Sequence, residues 1–345
     1  MEEKKLFKVS SNPLVRTKRD TTSIMLDVII ALIPALAVGT YMFGIKVVLL
    51  LAVNVFACVF FEWGYRKLLK KPQSVGDLSA VVTGFLLTCV LPSEATWWMG
   101  VIGSFFAIVV VKQLYGGIGK NFLNPALAGR AFLTAGYAAV MTSWAVPTTL
   151  AGVVDGATMA TPLSYLKAGE ALPEYFDLSS LFLGGVPGSI GEISALALLV
   201  GAAYLLIRKV ITWRIPTAFT GTVAVLCLVF GKSGYGRVDW TLYNLLSGGL
   251  ILGAFFMATD YSTSPVTLRG QLLFGVGCGA LTVLIRYFGS YPEGVSYAIL
   301  IMNCCAWAID RVTRGRQFGV TAEDVKAARQ AKKEAKKKEK EAASA

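Results

Sequence analysis

The sequence predicts an all-α protein that crosses a membrane several times, and three observations support this prediction. Of the 345 residues, 55% are hydrophobic and only 16% are charged, against about 25% charged residues in ordinary soluble domains. The mean hydropathy is +0.61. Several apolar runs approach the ~20 residues that a helix needs to cross a bilayer. Because a soluble fold of this size cannot bury so much apolar surface, much of it is expected to face lipid.

Charged residues, glycines and prolines divide the apolar sequence into ten candidate spans. They are residues 24–43, 45–63, 78–92, 95–113, 125–142, 190–207, 215–231, 242–258, 271–288 and 295–309. The runs 78–92, 125–142 and 295–309 are short or rich in small residues, which is typical of half-helices or tilted helices inside a bundle. Five spans precede the long segment 143–189 and five follow it. This parity favours two inverted five-helix repeats.

These boundaries divide the chain into five parts of different polarity. The parts are a basic N-terminal segment, a first transmembrane repeat, a long loop, a second transmembrane repeat and a tail rich in Lys, Ala and Glu, at residues 1–23, 24–142, 143–189, 190–313 and 314–345. The composition of the tail is typical of a solvated segment.

The formal charge of +12 comes from basic residues that flank the apolar runs. The clusters lie at residues 15–20, 65–71, 208–214, 310–316 and beyond 326. With ten spans, every cluster falls on one side of the membrane, which the positive-inside rule makes the cytoplasmic side. Both termini are therefore predicted in the cytoplasm, and the loop 143–189 is predicted outside it. Because the basic residues form no globular face, the expected contact is the lipid bilayer and not nucleic acid.

The chain has no histidine, which excludes His-ligated haem, zinc or copper and any Ser-His or Cys-His nucleophile. The six cysteines lie in apolar runs without a C-x-x-C pair, at Cys58, Cys89, Cys227, Cys278, Cys304 and Cys305. They are expected to be small buried hydrophobic residues, with no iron–sulfur cluster carried by this chain alone. The glycines of Gly275–Gly279 lie inside an apolar span, which predicts close helix packing.

The segment 155–161 of the long loop reads D-G-A-T-M-A-T. Its Asp-Gly pair predicts a turn. The residue before a proline is held in an extended conformation, so Thr161, which precedes Pro162, is expected to hold its hydroxyl away from helical carbonyls. A displayed threonine with small neighbours suits covalent modification, although composition alone favours an ordinary surface turn.

This segment resembles the flavinylation motif D-G-x-S/T-G-A-T of the RnfD/NqrB family of flavin-carrying membrane subunits, in which the last threonine takes FMN through a phosphoester bond. The resemblance implies FMN bound covalently to Thr161, with Thr158 as the alternative acceptor. The recognition positions for a flavin transferase are then Asp155, Gly156, Thr158 and Ala160. Met159 stands where the family usually has glycine, which is a departure from the motif.

Three longer segments, 10–35, 116–133 and 257–319, resemble the same family, so the likeness extends over about residues 10–320. A departure is Asn12-Pro13-Leu14, where the family usually has Ser-Pro-His. The resemblance implies a urea-transporter-like fold of two inverted five-helix repeats, which agrees with the parity of the spans.

The resemblance also implies a function. An Rnf complex couples electron flow between reduced ferredoxin and NAD to movement of Na+ or H+, and its D subunit carries one flavin relay on the outer face of a bacterial or archaeal inner membrane. The implied partners are the other Rnf subunits, namely A, B, C, E and G, and a flavin transferase. No acid–base pair or nucleophile is visible, so the chain is expected to be an oxidoreductase subunit without a complete active site of its own.

A second binding position is predicted where the segment 116–120 leads to Asn124-Pro125. Proline at the first helical position predicts a helix start there. This helix N-terminus, with Lys120 and Arg130 nearby, is a candidate site for an anion or for a second, non-covalent flavin such as riboflavin.

Asp27 and Asp260 are candidates for an ion path, because ionisable groups at membrane depth are functional candidates by default. The other ionisable residues at the spans lie near span ends, where snorkelling accounts for them. They are Glu62, Lys112, Arg286, Glu293 and Asp310.

Two alternative functions remain open at this point. One is the B subunit of a sodium-translocating NADH:quinone reductase, which belongs to the same family. The other is a urea-transporter-like solute channel, since Asn124-Pro125-Ala126 resembles the half-helix motif of water channels. A water channel carries that triplet twice, whereas this chain has it once.

Overall fold

The computed structural model describes residues 20–150, 158–231 and 236–314, and in these ranges the ordered elements are helices. The first seven are α1 (Thr21–Phe43), α2 (Lys46–Leu68), α3 (Ser79–Val90), α4 (Trp97–Phe105), α5 (Pro125–Gly136), α6 (Ala138–Met141) and α7 (Pro162–Ala168). The others are α8 (Leu178–Leu183), α9 (Ala195–Ile207), α10 (Arg214–Val229), α11 (Arg237–Leu246), α12 (Leu250–Leu252), α13 (Leu268–Phe288) and α14 (Val295–Thr313). π-Helical segments continue α4 through Gln113 and α12 through Met257.

Among the described helices, α1, α2, α13 and α14 are long and apolar enough to cross a membrane. The bent pair Arg237–Leu246 and Leu250–Met257 makes a fifth candidate span. Shorter apolar helices cover Ser79–Val90, Trp97–Gln113, Ala195–Ile207 and Arg214–Val229. Only 22% of the most apolar window of α14 is buried. Since so much apolar surface points outward, the prediction of an all-α multi-pass membrane protein is confirmed.

Two of the three short runs form short helices. The helices α3 and α5 have 12 residues each, about 18 Å at 1.5 Å per residue, which is too short to cross a bilayer alone. The third run forms α14, whose 19 residues reach the length of a span, so the half-helix interpretation is wrong there. The predicted helix start is confirmed, because Asn124 accepts hydrogen bonds from the backbone N–H groups of Ala126 and Leu127 and Pro125 follows it.

The predicted span 242–258 is not one straight helix. The chain bends by 61° between α11 and α12, where Gly248 and Gly249 adopt φ values of 72° and 66°. Glycine tolerates this left-handed conformation because it has no Cβ. The guanidinium of Arg286 donates to the carbonyl oxygens of Asn244 (2.5 Å) and Ser247 (3.2 Å) at the end of α11. The break therefore has its exposed carbonyls satisfied inside the protein.

Small residues set the distances between the packed helices. A Cβ on Gly275 of α13 would lie 2.9 Å from the carbonyl oxygen of Ile215 in α10, and one on Gly279 would lie 2.9 Å from that of Phe219. The predicted role of this glycine run in helix packing is confirmed. A second close contact joins α1 and α9, where Gly201 packs on the backbone of Ala31.

The cysteines divide into two groups. Cys58, Cys89, Cys227 and Cys278 are buried, as expected, whereas Cys304 and Cys305 are exposed on α14. The expectation of burial is wrong for this pair because α14 buries only one face, which carries Ile299, Asn303 and Ala306. Residues 304 and 305 belong to the face that points away from the bundle.

Candidate functional site

Thr161 lies at the start of α7, in the extended conformation that Pro162 was expected to impose (φ −75°, ψ 156°). Its hydroxyl lies 2.9 Å from the hydroxyl of Ser164 and also accepts the backbone N–H of Ser164 (3.4 Å). The residue is only 5% exposed, so the expectation of a displayed hydroxyl is wrong. Thr161 lines a small cavity together with Val186 and Leu246 from distant segments, and the local sequence did not reveal these contacts.

The rest of the motif is partly described. Thr158 and Ala160 are exposed. Thr158 forms an isolated antiparallel bridge with Ala145, and the N–H of Met159 donates to the carbonyl of Trp144 (2.9 Å). The predicted recognition positions Asp155 and Gly156 lie outside the described residues. These two contacts hold residues 144–145 against residues 158–159, immediately before Thr161.

A cavity of about 250 Å³ adjoins the motif, and we call it the Ala160 cavity. It is lined by Ala160, Ser164, Arg130, Trp144, Tyr291 and Tyr297, among others. The rings of Tyr291 and Tyr297 stack with centroids 5.3 Å apart. Flat aromatic walls with a few polar groups are typical of sites for a planar organic ligand.

Arg130 is fixed in the wall of the Ala160 cavity. Its guanidinium forms an ion pair with Glu293 (2.5 Å) and donates to the hydroxyl of Ser296 (3.2 Å). The guanidinium and the Glu293 carboxylate hold each other in place, and both side chains are nearly buried. A cation held this way in a cavity wall suits an anionic group of a ligand.

Asp260 lies between two cavities at another place in the bundle, which we call the Asp260 cavities. Their volumes are about 530 and about 90 Å³. The Asp260 carboxylate accepts hydrogen bonds from Ser262 (3.0 Å) and Thr263 (3.1 Å). Burial raises the pKa of Asp260, and those hydrogen bonds oppose the rise.

The Asp260 cavities and the Thr161 loop lie at opposite ends of α1. Ile24 and Met25, at the start of α1, line both Asp260 cavities. Gly39, near the other end, packs against Ile190, whose segment forms the Thr161 side of the bundle with Glu192. The 23 residues of α1 span about 34 Å. Met25 and Gly39 are 14 residues apart in α1, about 21 Å, so the two regions lie toward opposite ends of this helix.

The structure does not bring the three residues of the predicted second site together. Asn124 is buried and lines the smaller Asp260 cavity, where its amide donates to the carbonyl of Met257 (3.3 Å). Arg130 lines the Ala160 cavity instead. Lys120 is exposed.

Asp27 joins two helices. Its carboxylate accepts the phenolic hydrogen of Tyr204 (2.9 Å) and pairs with Arg208 (3.3 Å), so it links α1 to the end of α9. These two contacts give Asp27 a structural role, which is to join the two helices.

Several charged residues that the sequence places near span ends are in fact buried in the structure. Lys112 and Glu62 form an ion pair of 2.6 Å with 3% and 0% exposed side chains, and Arg286 is 5% exposed. Glu192 was not singled out at all, although an acidic residue in the apolar run 190–207 is a signal that sequence reading can use. Its burial depends on the tertiary fold.

These features define the class of the molecule, a multi-pass membrane protein with a polar loop and a cavity beside it at one end of the bundle. The model of the NQR2, RnfD, RnfE family matches residues 8–319. The chain therefore belongs to this family, and the resemblance seen in the motifs is confirmed.

Three relatives in the family are named as D subunits. The chain is 52% identical to the D subunit of the Na(+)-translocating ferredoxin:NAD(+) oxidoreductase complex of Acetobacterium woodii, over 91% of this chain and 95% of that one. It is 41% identical to the D subunit of the proton-translocating ferredoxin:NAD(+) oxidoreductase complex of Clostridium ljungdahlii, over 92% and 97%. It is 39% identical to the D subunit of the ion-translocating oxidoreductase complex of Stutzerimonas stutzeri, over 87% and 92%.

Proposed function

We propose that the chain is the D subunit of an ion-translocating ferredoxin:NAD oxidoreductase, a membrane subunit of an oxidoreductase complex. Each relative reported above is named as a D subunit, and the chain covers nearly all of each one. This coverage favours a D subunit over the B subunit of an NADH:quinone reductase and over a solute channel. The observation that carries the proposal within the molecule is the D-G-A-T-M-A-T motif, which borders the Ala160 cavity at Ala160, next to Thr161.

The proposed cofactor is FMN, attached through a phosphoester to Thr161. The residues present fit this group, since Ser164 joins the Thr161 hydroxyl to the cavity and the Tyr291–Tyr297 stack offers a flat wall. Arg130 would hold an anionic part of the cofactor. Bound there, the flavin would supply reversible electron transfer, while the chain positions it and excludes water.

The burial of Thr161 bears on how the cofactor is attached. At 5% exposure the hydroxyl is out of reach of a transferase. The proposed order is therefore attachment to an open loop, followed by closure through the Met159–Trp144 contact. Asp155, Gly156, Thr158 and Ala160 remain the proposed recognition positions.

The proposed topology has ten spans in two inverted repeats, cytoplasmic termini and an extracytoplasmic Thr161 loop. The separation of the Thr161 loop from the Asp260 cavities across α1 supports it, as do the short helices α3 and α5 and the broken pair α11–α12. The proposed partners are the other Rnf subunits, namely A, B, C, E and G, together with a flavin transferase and the bilayer.

A second, non-covalent flavin is proposed for the Asp260 cavities, since the larger one has about 530 Å³ and Asn124 lines the smaller. Of the residues Lys120, Asn124 and Arg130, only Asn124 supports this location. Asp260 is also the proposed ion-path carboxylate, because it is partly buried and faces both cavities. Asp27 is the weaker candidate because it is paired.

The attachment site is tested by in-gel flavin fluorescence of the full chain made together with its transferase. The wild type and Thr161→Ser are expected to give a fluorescent band on a denaturing gel, since both keep a hydroxyl. Thr161→Ala is expected to give none. Thr158→Ala is the matched control and keeps the fluorescence. A fluorescent Thr161→Ala band refutes the site, and a dark wild type refutes the covalent flavin.

A further inference from the structure

The larger Asp260 cavity extends to a groove at the end of the bundle where α1 begins and α14 ends. Thr21, Val266, Cys304, Trp307 and Asp310 all line it, and we call the part that they form the Trp307 groove. Of these five residues, none lines the smaller Asp260 cavity. The groove is thus a distinct surface, bounded by the start of α1, the turn before α13 and the last turns of α14.

The surface of the Trp307 groove combines apolar side chains with a carboxylate. Val266 is 80% exposed and Trp307 is 71% exposed. The Asp310 carboxylate accepts the backbone N–H groups of Val266 and Thr267 (both 3.1 Å), and it keeps room for another donor, since a carboxylate has about four acceptor positions. Lipid tails do not suit the carboxylate, and water does not suit the apolar rings and methyls. An occupant with both basic and apolar side chains suits the whole surface.

The charge of the groove is negative. The charged residues that line the larger cavity are Asp260 and Asp310, and no lysine or arginine of the described residues lines it. Neither carboxylate belongs to a described ion pair. The guanidinium of Arg311, next along α14, lies over the ring of Trp307 at 5.3 Å from its centroid. The groove therefore favours a positively charged partner.

The chain supplies a segment of the matching chemistry. Residues 8–19, which lie outside the described residues, read K-V-S-S-N-P-L-V-R-T-K-R, with four basic residues and no acidic one. This segment leads through Asp20 to Thr21, which lines the groove. The family match begins at residue 8 and so includes the segment.

The segment is also long enough. The six residues 14–19, L-V-R-T-K-R, cover about 20 Å when extended. Packed helices lie about 8–10 Å apart, so this length crosses from the start of α1 to α14. The segment that follows α14 is also basic, but Asp310 is the last residue of α14 that lines the groove, whereas Arg311–Arg314 do not. The chain has therefore left the groove before that segment begins.

We propose that residues 14–19 of the same chain bind in the Trp307 groove. Leu14 and Val15 pack on the exposed apolar residues, and the basic side chains lie near the carboxylates. The contact is non-covalent and joins the N-terminal segment to α14. This inference goes beyond the proposed function, and it leaves the smaller Asp260 cavity free for a second flavin.

Disulfide formation in the purified full chain tests which segment lies in the groove, because Cys304 lines it and Cys305 can be replaced by alanine. Leu14→Cys or Val15→Cys is expected to form a disulfide with Cys304 on oxidation with copper phenanthroline, seen by mass spectrometry in the monomer. Phe318→Cys, in the segment after α14, is the matched control and should not link. The absence of a link from both N-terminal positions, an equal link from Phe318→Cys, or a linked dimer would overturn the proposal.

The reactivity of Cys304 tests the charge argument in the same Cys305→Ala background. The double variant Arg16→Gln with Lys18→Gln is expected to raise the rate of reaction with N-ethylmaleimide by about threefold or more, since a covered thiol reacts only while its cover is open. The control, Lys332→Gln with Lys333→Gln, removes the same charge from the tail and should leave the rate unchanged. An unchanged rate in the N-terminal variant contradicts the proposal.

These outcomes are separate from those that test the proposed function. None of the substitutions changes the D-G-A-T-M-A-T motif, so the in-gel flavin fluorescence is expected to stay the same in every variant. Failure of the N-terminal contact would leave the flavin assignment standing, and a dark wild-type band would leave the disulfide result standing.

Discussion

At the scale of single residues, the buried charges of the bundle are surrounded by hydrogen-bond partners. Arg286 is 5% exposed, and its guanidinium binds the backbone carbonyls of Asn244, Ser247 and Glu293. Lys112 donates instead to two side chains, the carboxylate of Glu62 (2.6 Å) and the hydroxyl of Ser79 (2.5 Å). A buried charge costs several kcal/mol unless hydrogen bonds replace the water it loses. These side chains therefore hold together the segments that they join.

The first prediction concerns Arg286. Arg286→Met keeps most of the apolar stem but leaves the carbonyls at the end of α11 without donors. We expect a loss of about 3 kcal/mol or more in the free energy of unfolding, since each hydrogen bond to a charged group contributes about 1.5–3 kcal/mol. The thermal midpoint in detergent measures this loss. Arg269→Met, at an exposed position, should change little, and equal effects of the two substitutions would contradict the role of Arg286.

The second prediction concerns Asp260 and the sign of its pH dependence. Burial raises the pKa of Asp260 in the folded chain. A folded-state pKa above the unfolded value means that the folded state binds the proton more tightly, so stability is lost as pH rises through the raised pKa. Asp260→Asn is therefore expected to raise the thermal midpoint at neutral pH. The gain should disappear below about pH 3.9, the ordinary value for aspartate.

The control for this measurement is Glu94→Gln, which removes an exposed carboxyl and should leave the thermal midpoint unchanged at both pH values. A drop in the midpoint of Asp260→Asn at neutral pH would contradict the prediction, because it would show that the carboxylate form is the stabilising one.

At the scale of elements, the break between α11 and α12 determines the geometry of the Thr161 side. It places Ser247 and Gly248 in the wall of a small cavity of about 10 Å³, together with Thr161 and Leu163 from the start of α7. The φ values of 72° and 66° at Gly248 and Gly249 are unfavourable for any residue with a Cβ. Because the helix is broken at this point, residues of the break contact residues of the Thr161 loop.

The third prediction is that Gly248→Ala destabilises the chain. The strained conformation costs roughly 1–2 kcal/mol, and the added Cβ would also collide with Leu163. Gly221→Ala is the matched control, since Gly221 lies within α10 and a Cβ there meets no atom within 4 Å. The control is expected to be neutral or to stabilise by about 0.5–1 kcal/mol. A thermal midpoint for Gly248→Ala at or above that of the control would show that the break tolerates a side chain.

At the scale of the whole molecule, local sequence patterns predicted those parts of the fold that depend on residues close together in the chain. Apolar run length predicted α1 and α2, Asn124-Pro125 predicted the start of α5, and the run Gly275–Gly279 predicted the packing of α13. The burial of Thr161 was not predictable, since it depends on contacts made far from its own segment.

The tryptophans also show that local sequence does not predict the burial of a side chain. Trp97 is 67% exposed, as expected of a residue at the membrane interface, whereas Trp240 is 3% exposed and donates its indole N–H to Tyr287 (2.7 Å). Both lie near the ends of apolar runs, and their sequence surroundings do not distinguish them. Hydrophobicity predicts which segments enter the bilayer, but the side that each residue faces is decided by the packing of the bundle.

The last prediction concerns the orientation of the molecule in the membrane. Thr158 and Lys120 are both exposed, the first beside the Thr161 loop and the second in the turn before α5. The Thr161 loop and the Asp260 cavities lie at opposite ends of α1, and Ile118 and Gly119, next to Lys120, line one of those cavities. A cysteine at position 158 and one at position 120 should therefore face opposite compartments.

The experiment uses sealed vesicles and a membrane-impermeant maleimide, with Cys304 and Cys305 replaced by alanine because they are the exposed native cysteines among the described residues. Thr158→Cys is expected to react only from the extracytoplasmic side and Lys120→Cys only from the cytoplasmic side. Labelling of both from one side would contradict the arrangement across α1. Labelling of Thr158→Cys from the cytoplasm alone would invert the proposed topology, and it would leave the basic clusters on the side that the positive-inside rule disfavours.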